Sequence, residues 1–445
     1  MSATGLKQGA SDNLRGSAQP LRIHASEHKI QQEQICERAD AIIRKLQKAG
    51  FEAYLVGGCV RDLLLGLTPK DFDIATSAHP EQVRKLFSSA RLIGRRFRLA
   101  HIYYGRDYIE VATFRAPHDE SSQGQVNEQG RILHDNVYGT LEEDVWRRDF
   151  TINALFYDPV SGDVLDYVDG MQDLAKRRLH LIGDAEQRYR EDPVRMLRAL
   201  RFVAKLDFEL DGPTGELIDA MGPLLNDVAP ARLFDELLKL LHSGQGWKTF
   251  CLLEQYKLLP TLLPITAASL AQDDEGIYRK LLQSALSNTD NRIAEGKSVM
   301  PAFLFAVLLW EQVHTQMVQA QLKGHPELQA LHIAATDVLR DQVKVTAIPR
   351  RFSNVTREIW GLQSRFRHRD LRRANILLSN PRFRAAYDFL YLRAAAGETV
   401  VAEDAAWWTR FQEASPEDRI GLCKNGGKKR RTKRKKANNK PTDSA

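Results

Sequence analysis

Apolar positions along the chain fall into two regimes that meet near Glu191. Before it, apolar residues come in short runs. Residues 53–56 read as a strand turned by Gly57-Gly58, and residues 70–75 as a second. Residues 98–104 and 108–114 read as a hairpin around Gly105-Arg106-Asp107, and residues 151–157 as another strand. Between them, residues 35–49 form an amphipathic pattern ended by Gly50, 60–65 a short helix stopped at Gly66, and 80–87 a further helix. Residues 116–138 are polar and aperiodic, the signature of a long loop. After Glu191 the 3.6-residue period takes over, at 193–204, 231–241, 247–256, 277–286, 301–321 and 381–395. No repeat period stands out. The fold class predicted is α+β: a small mixed β-sheet head followed by all-helical segments.

The predicted segments are a polar, disordered stretch at 1–34, a head at 35–185 and a helical neck at 186–245. A helical body follows at 246–420, with a disordered tail at 421–445. The chain has 445 residues, 43% hydrophobic and 27% charged, as in soluble globular proteins. The most apolar run, 301–310, is far short of the roughly 20 residues of a membrane span. The first thirty residues lack the apolar centre of a secretory signal. Cys36, Cys59, Cys251 and Cys423 are scattered, which suits a reducing compartment and argues against a structural zinc site.

Charge changes this picture at one end only. The net charge is +7, but residues 421–445 hold ten Lys or Arg and one acid, Asp443. With these set aside, 54 basic and 56 acidic residues remain. A near-neutral body with a basic tail points to a polyanionic partner.

Candidate chemistry centres on Gly57-Gly58-Cys59-Val60-Arg61-Asp62 and Asp71-Phe72-Asp73. In a strand, residues i and i+2 share a face, so Asp71 and Asp73 converge while Phe72 turns to the core. Glycines let backbone N–H groups approach phosphate, the following helix directs its positive end there, and Arg61 adds a cation. Two convergent acids beside a phosphate-sized turn can hold divalent metal ions against a nucleoside triphosphate. A solvated acidic turn explains a lone DxD equally well; the combination does not reduce to it. Glu110, an acid in a poorly alternating strand, is the candidate third carboxylate, against an edge-strand glutamate facing water.

In Arg147-Arg148-Asp149-Phe150-Thr151, two guanidiniums can grip a triphosphate, with Asp149 orienting an arginine or a ribose hydroxyl. A charged helix end with an ordinary salt bridge explains the same residues, and both readings stand. In Glu191-Asp192-Pro193-Val194-Arg195, an acidic cap with Pro at the first turn is complete as a helix start. A sharper reading sets Asp192 and Arg195 one turn apart, accepting from an exocyclic amine and donating to a ring nitrogen. Such a pair takes adenine or cytosine and rejects guanine and uracil. Between Arg350 and Arg373 lie eight arginines with Phe352, Trp360 and Phe366. These suit single-stranded RNA, or equally a solvated helical face over core aromatics. The histidines show no metal-ligand spacing, and His101 reads as packed.

Taken in order, Gly-Gly-x-x-Arg-Asp, Asp-Phe-Asp-Ile-Ala-Thr, Arg-Arg-Asp-Phe-Thr and Glu-Asp-x-x-Arg resemble the motifs of class II nucleotidyltransferases. That family comprises bacterial poly(A) polymerases and CCA-adding tRNA nucleotidyltransferases. Residues 92–101, the helical remainder and the basic C-terminus look like the poly(A) polymerase branch. The resemblance implies a nucleotidyltransferase head, a helical neck and body, and an RNA-binding region. It implies Asp71, Asp73 and Asp149 as catalytic positions. The nucleotide-binding set it implies is Gly57, Gly58, Arg61, Asp62, Arg147, Arg148, Asp192, Arg195 and Arg198. With Glu110, Asp71 and Asp73 would hold two Mg²⁺, with Mn²⁺ as the alternative ion.

The expected activity is template-independent addition of AMP from ATP to RNA 3′ ends, with release of pyrophosphate. It belongs to polyadenylation, mRNA processing and decay. A CCA-adding tRNA nucleotidyltransferase is the first alternative. The second is a non-catalytic RNA-binding adaptor, which the intact DxD and glycine pair argue against. A cytoplasmic monomer is expected, with RNA and ATP as partners and no membrane. The resemblance leaves room for RNA-decay or RNA-chaperone partners without identifying one.

Overall fold

The computed structural model describes residues 19–94, 98–116 and 137–423. Most of the loop at 116–138, the tail from 424, the first 18 residues and the centre of the 92–101 segment therefore lie outside the described residues. Contacts divide the chain into two units, 1–221 and 222–445, a division that falls inside the 186–245 segment expected as a neck.

The first unit is built on an eight-stranded mixed sheet. Its strands are β1 (Leu21–Ile23), β2 (Ala53–Val56), β3 (Asp73–Thr76), β4 (Ala90–Ile93), β5 (Leu99–Tyr104), β6 (Asp107–Thr113), β7 (Phe156–Tyr157) and β8 (Val164–Asp166). Their order is β1-β8-β7-β2-β3-β6-β5-β4. Every pairing in it is antiparallel except β3 with β6. Helices α1 (Glu37–Lys48), α2 (Gly58–Leu64), α3 (Pro80–Leu86), α4 (Leu141–Arg147) and α5 (Gly170–Ala175) accompany it. A second, two-stranded sheet joins β9 (Arg178–Leu179) to β10 (Glu209–Leu210) in parallel. Helices α6 (Ala185–Glu191), α7 (Val194–Leu206) and α8 (Gly212–Met221) complete the unit.

Local chemistry explains these boundaries. In α1, Ala39, Ile42, Ile43 and Leu46 recur at the helical period and are fully buried. The β5–β6 hairpin turns at Gly105, whose φ of +69° suits glycine. Thr140 and Glu143 form a reciprocal capping box at the start of α4, with Thr140 N donating to Glu143 Oε2 at 2.7 Å. Val56, Ala75, Phe114, Val145, Phe156 and Leu165 join in one core cluster between the sheet and α4.

Three expectations are corrected in this unit. Residues 1–34 are not disordered throughout, because β1 adds to β8 as an edge strand. Arg22 Nη1 donates to Asp163 at 2.9 Å and the His28 ring meets Gly162 O at 2.8 Å, tethering it. The strand predicted at 70–75 begins only at Asp73, so Asp71 and half-buried Phe72 precede the pleat. The strand predicted at 151–157 opens with a 3₁₀ turn, Thr151–Asn153, and only Phe156–Tyr157 pairs. Thr151 Oγ1 donates to buried Asp173 at 2.7 Å, which holds the turn in place of a ladder.

The second unit is helical: α9 (Pro230–Leu241), α10 (Gly246–Gln255), α11 (Leu259–Leu262), α12 (Pro264–Leu270), α13 (Ile277–Ala294) and α14 (Pro301–Leu308), then α15 (Trp310–Leu322), α16 (Glu327–Val345), α17 (Arg350–Gln363), α18 (Leu371–Leu378), α19 (Phe383–Ala396) and α20 (Thr399–Glu413). The single helix expected at 301–321 is two, because the Leu308 carbonyl accepts from the hydroxyls of Thr266 and Tyr278. Trp360, Phe366 and Trp408 are completely buried, and Trp408 Nε1 donates to Phe366 O at 2.8 Å. No helix among the described residues is long and apolar enough to cross a membrane.

Two glycines predict opposite responses. A Cβ on Gly170 would lie 2.5 Å from Thr151 O, against the turn that leads out of the Arg147–Asp149 segment. Gly170→Ala should destabilise the protein by about 1–3 kcal/mol. On Gly361, in α17, a Cβ meets nothing within 4 Å. Gly361→Ala should stabilise by about 0.5–1 kcal/mol. Urea midpoints of the two variants check the contrast; the same sign for both would contradict it.

Candidate active site

Strand register brings the acids together. In the parallel β3–β6 pair, Asp73 lies opposite Glu110, and Val56, at the end of β2, opposes Asp73 on the other side. Cys59 is buried below, its thiol donating to Val56 O at 3.3 Å. Asp71, two residues earlier, is close enough for its charge to act on Asp73. Asp73 reaches solvent on one side, but protein crowds it on the others. That crowding, then Glu110 and Asp71, push its carboxyl up to about 6, while Arg148 opposes them. The second neighbour of Glu110 is His101, whose Nε2 stands 3.4 Å from Glu110 Oε2. The His101 ring stacks on Tyr108 at 4.2 Å, so this histidine is packed.

Among the described residues, no three His, Cys, Asp or Glu side chains close a metal cage of their own. The donor set still fits a hard divalent cation. Mg²⁺ takes one or two carboxylates and completes its octahedron with water and substrate phosphates. Like-charged carboxylates forced side by side, with one raised toward neutrality, are the arrangement a cation relieves.

The glycine turn lies against the acids. Gly57 has φ +78°, and a Cβ there would come within 3.7 Å of Arg148 Nη1. The N–H groups that open α2 precede its first helical bond, from Arg61 N to Gly57 O, and so remain as donors. Arg148 is the cation beside Gly57. Its Nε and Nη2 are held by Asp144 at 3.1 and 2.7 Å, and it lies over the Phe156 ring at 5.0 Å.

Arg61, the cation expected there, also borders the turn, its Nη2 3.5 Å from where a Cβ on Gly58 would lie, but its guanidinium is buried and paired. It is 3% exposed, with Nε and Nη2 on Asp62 Oδ1 at 2.9 and 2.6 Å and Nη1 on Asn153 Oδ1 at 2.6 Å. Its guanidinium lies 5.2 Å from the centre of the Phe202 ring. Arg61 and Asp62 therefore form a buried pair beneath the glycine turn, with Lys205 4.0 Å from the second Asp62 oxygen.

Asp149 orients an arginine, one of the two roles left open for it. Its Oδ2 accepts from Arg198 Nε and Nη2 at 2.7 and 2.6 Å, and its Oδ1 from Phe150 N and Asn153 Nδ2. Burial alone would raise this carboxyl. The charge and fork of Arg198, with the two further donors, outweigh burial and hold it below the usual range. Arg198 also faces Phe202, which receives Arg201 as well. Asn153 joins Arg61 to Asp149, and only its position two residues after Thr151 hinted at a part in the site.

Asp192 and Arg195, the pair expected to read the nucleobase, sit at a helix junction. Asp192 ends α6 with extended backbone and accepts from Val194 N at 3.3 Å. Arg195, in the first turn of α7, donates through Nη1 to Glu191 Oε2 at 2.9 Å and to Arg188 O at 2.6 Å. The two are joined by Arg195 N donating to Asp192 O at 3.0 Å, and the Arg195 side chain is braced by Glu191.

In the second unit the arginine-rich stretch is sorted by its partners. Trp360 and Phe366 are core rather than stacking platforms, as in the plainer of the two readings. Arg369 forks onto Asp404 and Glu403, and Arg367 meets Glu327 at 3.2 Å. Arg350, Arg351, Arg365, Arg372 and Arg373 are exposed.

Three models of known families match the chain: the poly A polymerase head domain over residues 53–180, a probable RNA and SrmB-binding site of polymerase A over 207–270, and the polymerase A arginine-rich C-terminus over 323–441. A curated poly(A) polymerase I from Salmonella typhimurium is 46% identical, over 90% of this chain and 87% of that protein. A CCA-adding enzyme from Lactobacillus delbrueckii is 34% identical, over 59% of this chain and 67% of its own length. Among solved structures, the Bacillus stearothermophilus CCA-adding enzyme in complex with CTP is similar at a TM-score of 0.55. It is 26% identical, with 84% of this chain and 80% of that one covered.

The raised Asp73 carboxyl predicts a stability signature. Its folded pKa of about 6 exceeds the free value of about 3.9, so ionisation destabilises the metal-free fold. The penalty accrues as pH rises from about 4 to about 6 and is complete at pH 7.5. In chelator, Asp73→Asn should melt higher than the native protein at pH 7.5, and the gap should shrink as pH falls and close below about pH 4. Equal midpoints at pH 7.5 would show that the acids do not repel.

Proposed function

The chain belongs to the poly(A) polymerase family, and from that premise we propose that it transfers AMP from ATP to RNA 3′ ends without a template, as a cytoplasmic monomer. The observation that carries this reading is the match to poly(A) polymerase I over 90% of the chain, which takes in the arginine-rich C-terminal segment. The CCA-adding relative from Lactobacillus delbrueckii covers 59%.

The site's own residues supply binding and orientation. The Gly57-Gly58 turn brings backbone N–H donors and the Arg148 guanidinium to the triphosphate, where charge-assisted hydrogen bonds are strongest. Asp192 accepts from the adenine amine and Arg195 donates to the ring nitrogen beside it. Arg198, fixed by Asp149, stands ready for the sugar or phosphate side of the same nucleotide. Asp71, Asp73 and Glu110 would hold Mg²⁺, which when bound favours the ionised 3′-hydroxyl and neutralises the leaving pyrophosphate. In-line attack on the α-phosphate needs no protein nucleophile, because positioning and electrostatics supply the acceleration. The exposed arginines of the second unit and the Lys/Arg run at 428–436 are the proposed RNA contacts.

Asp71→Asn should lower AMP incorporation by more than about a thousandfold while changing RNA affinity little. Incorporation near the native rate would remove Asp71 from the site. Generic RNA with ATP alone should give a long ladder. A defined three-nucleotide addition, to tRNA lacking its end and only with CTP and ATP together, would favour the CCA reading. No Mg²⁺-dependent ATP consumption would favour the adaptor.

A further inference from the structure

A single nucleotide must be gripped at two ends in this site. The phosphate end belongs to the Arg147–Arg148 turn that closes α4 and to the glycine turn. The base end belongs to Asp192 and Arg195, at the junction of α6 and α7. One side chain bridges the two. Arg188, on α6, sends Nη2 to the carbonyls of Arg147 and Arg148 at 3.0 and 2.6 Å. Its Nη1 donates to Glu191 Oε2 at 2.7 Å, the same oxygen that takes Arg195 Nη1. Its own carbonyl accepts from Arg195 at 2.6 Å.

We propose that Arg188 is a positioning residue for nucleotide selection, fixing the phosphate-gripping turn and the base-reading Arg195 at one separation. Helix capping alone does not account for the arrangement. The Arg188 side chain is 12% exposed, and its Nε is buried with no partner. Burial and the neighbouring Arg195 press its pKa down to about 10. A capping cation at a surface avoids all of these costs. A planar fork is required to serve two carbonyls and a carboxylate in different directions, which a lysine ammonium does not reproduce. Misplacement of a positioning group by about 1 Å can cost roughly 100-fold in rate.

The inference rests on the base-reading role given to Asp192 and Arg195, so the native protein is measured first with ATP and with GTP. Equal use of the two removes that role itself, and the inference with it. Given a selective native protein, Arg188→Gln should raise KM for ATP and narrow the ATP/GTP ratio of kcat/KM, each by roughly 10- to 100-fold. RNA affinity should stay within about twofold, since the RNA contacts proposed above lie elsewhere. Arg188→Lys keeps the charge and should melt near the native temperature, yet show both shifts by at least about threefold. If Arg188→Gln does not fold, Arg188→Lys decides alone. Arg190→Gln, which removes only an exposed pair with Glu186, serves as the neutral control. Native KM and native selectivity in folded Arg188→Lys would overturn the proposal. A change in melting temperature alone would also overturn it, leaving a structural role.

Discussion

The repulsion between two carboxylates, imposed by strand register, is the constraint around which the head is arranged. Parallel pairing of β3 with β6 sets Asp73 opposite Glu110, and side-chain alternation leaves neither strand free to turn its acid away without inverting its apolar face. Ile74 and Val111, next along the same strands, are buried in the core and lock that register. The fold therefore stabilises, through apolar burial elsewhere, a pair of charges that would otherwise separate. Such local conflict between stability and arrangement is characteristic of functional sites.

A second principle governs the cations. Arg61, Arg188 and Arg198 are neutralised by Asp62, Glu191 and Asp149, so they act as rigid struts more than as open charges. Arg148 is intermediate: Asp144 takes two of its nitrogens and leaves Nη1 beside Gly57. The struts share partners. Asn153 ties Arg61 to Asp149, and Phe202 lies under Arg61, Arg198 and Arg201. Buried networks of this kind fix geometry, at a cost where a donor such as Arg188 Nε stays unpaired. Preorganised positions are what a transfer reaction without a protein nucleophile requires.

Much of this was legible in the sequence, for identifiable reasons. The glycine turn was legible from its residue types, and Glu110 as an acid within a strand pattern; register then sets Asp73 opposite Glu110, while Asp71 precedes β3 and was not placed by strand alternation. The helical regime after Glu191 was found because its period is long and regular. Other features escaped. Whether an arginine is neutralised depends on partners far along the chain, so the pairing of Arg61 with Asp62 and Asn153 was not legible, although both Arg61 and Arg148 border the glycine turn as expected. Trp360 and Phe366 lie among arginines in sequence, but helix periodicity carries them to the opposite face. The break at Leu309 depends on hydroxyls from Thr266 and Tyr278, 42 and 30 residues from the Leu308 carbonyl they reach. Strands of two or three residues, such as β1, β7 and β8, are too short to show a period at all.

The central claim is that register-paired acids exist to bind metal with the nucleotide. Counting bound Mn²⁺ by electron paramagnetic resonance, with a non-hydrolysable ATP analogue present, tests it most directly. The account predicts two ions per native protein, and the loss of at least one in Glu110→Gln despite an intact fold. Unchanged stoichiometry and affinity in that variant would contradict it.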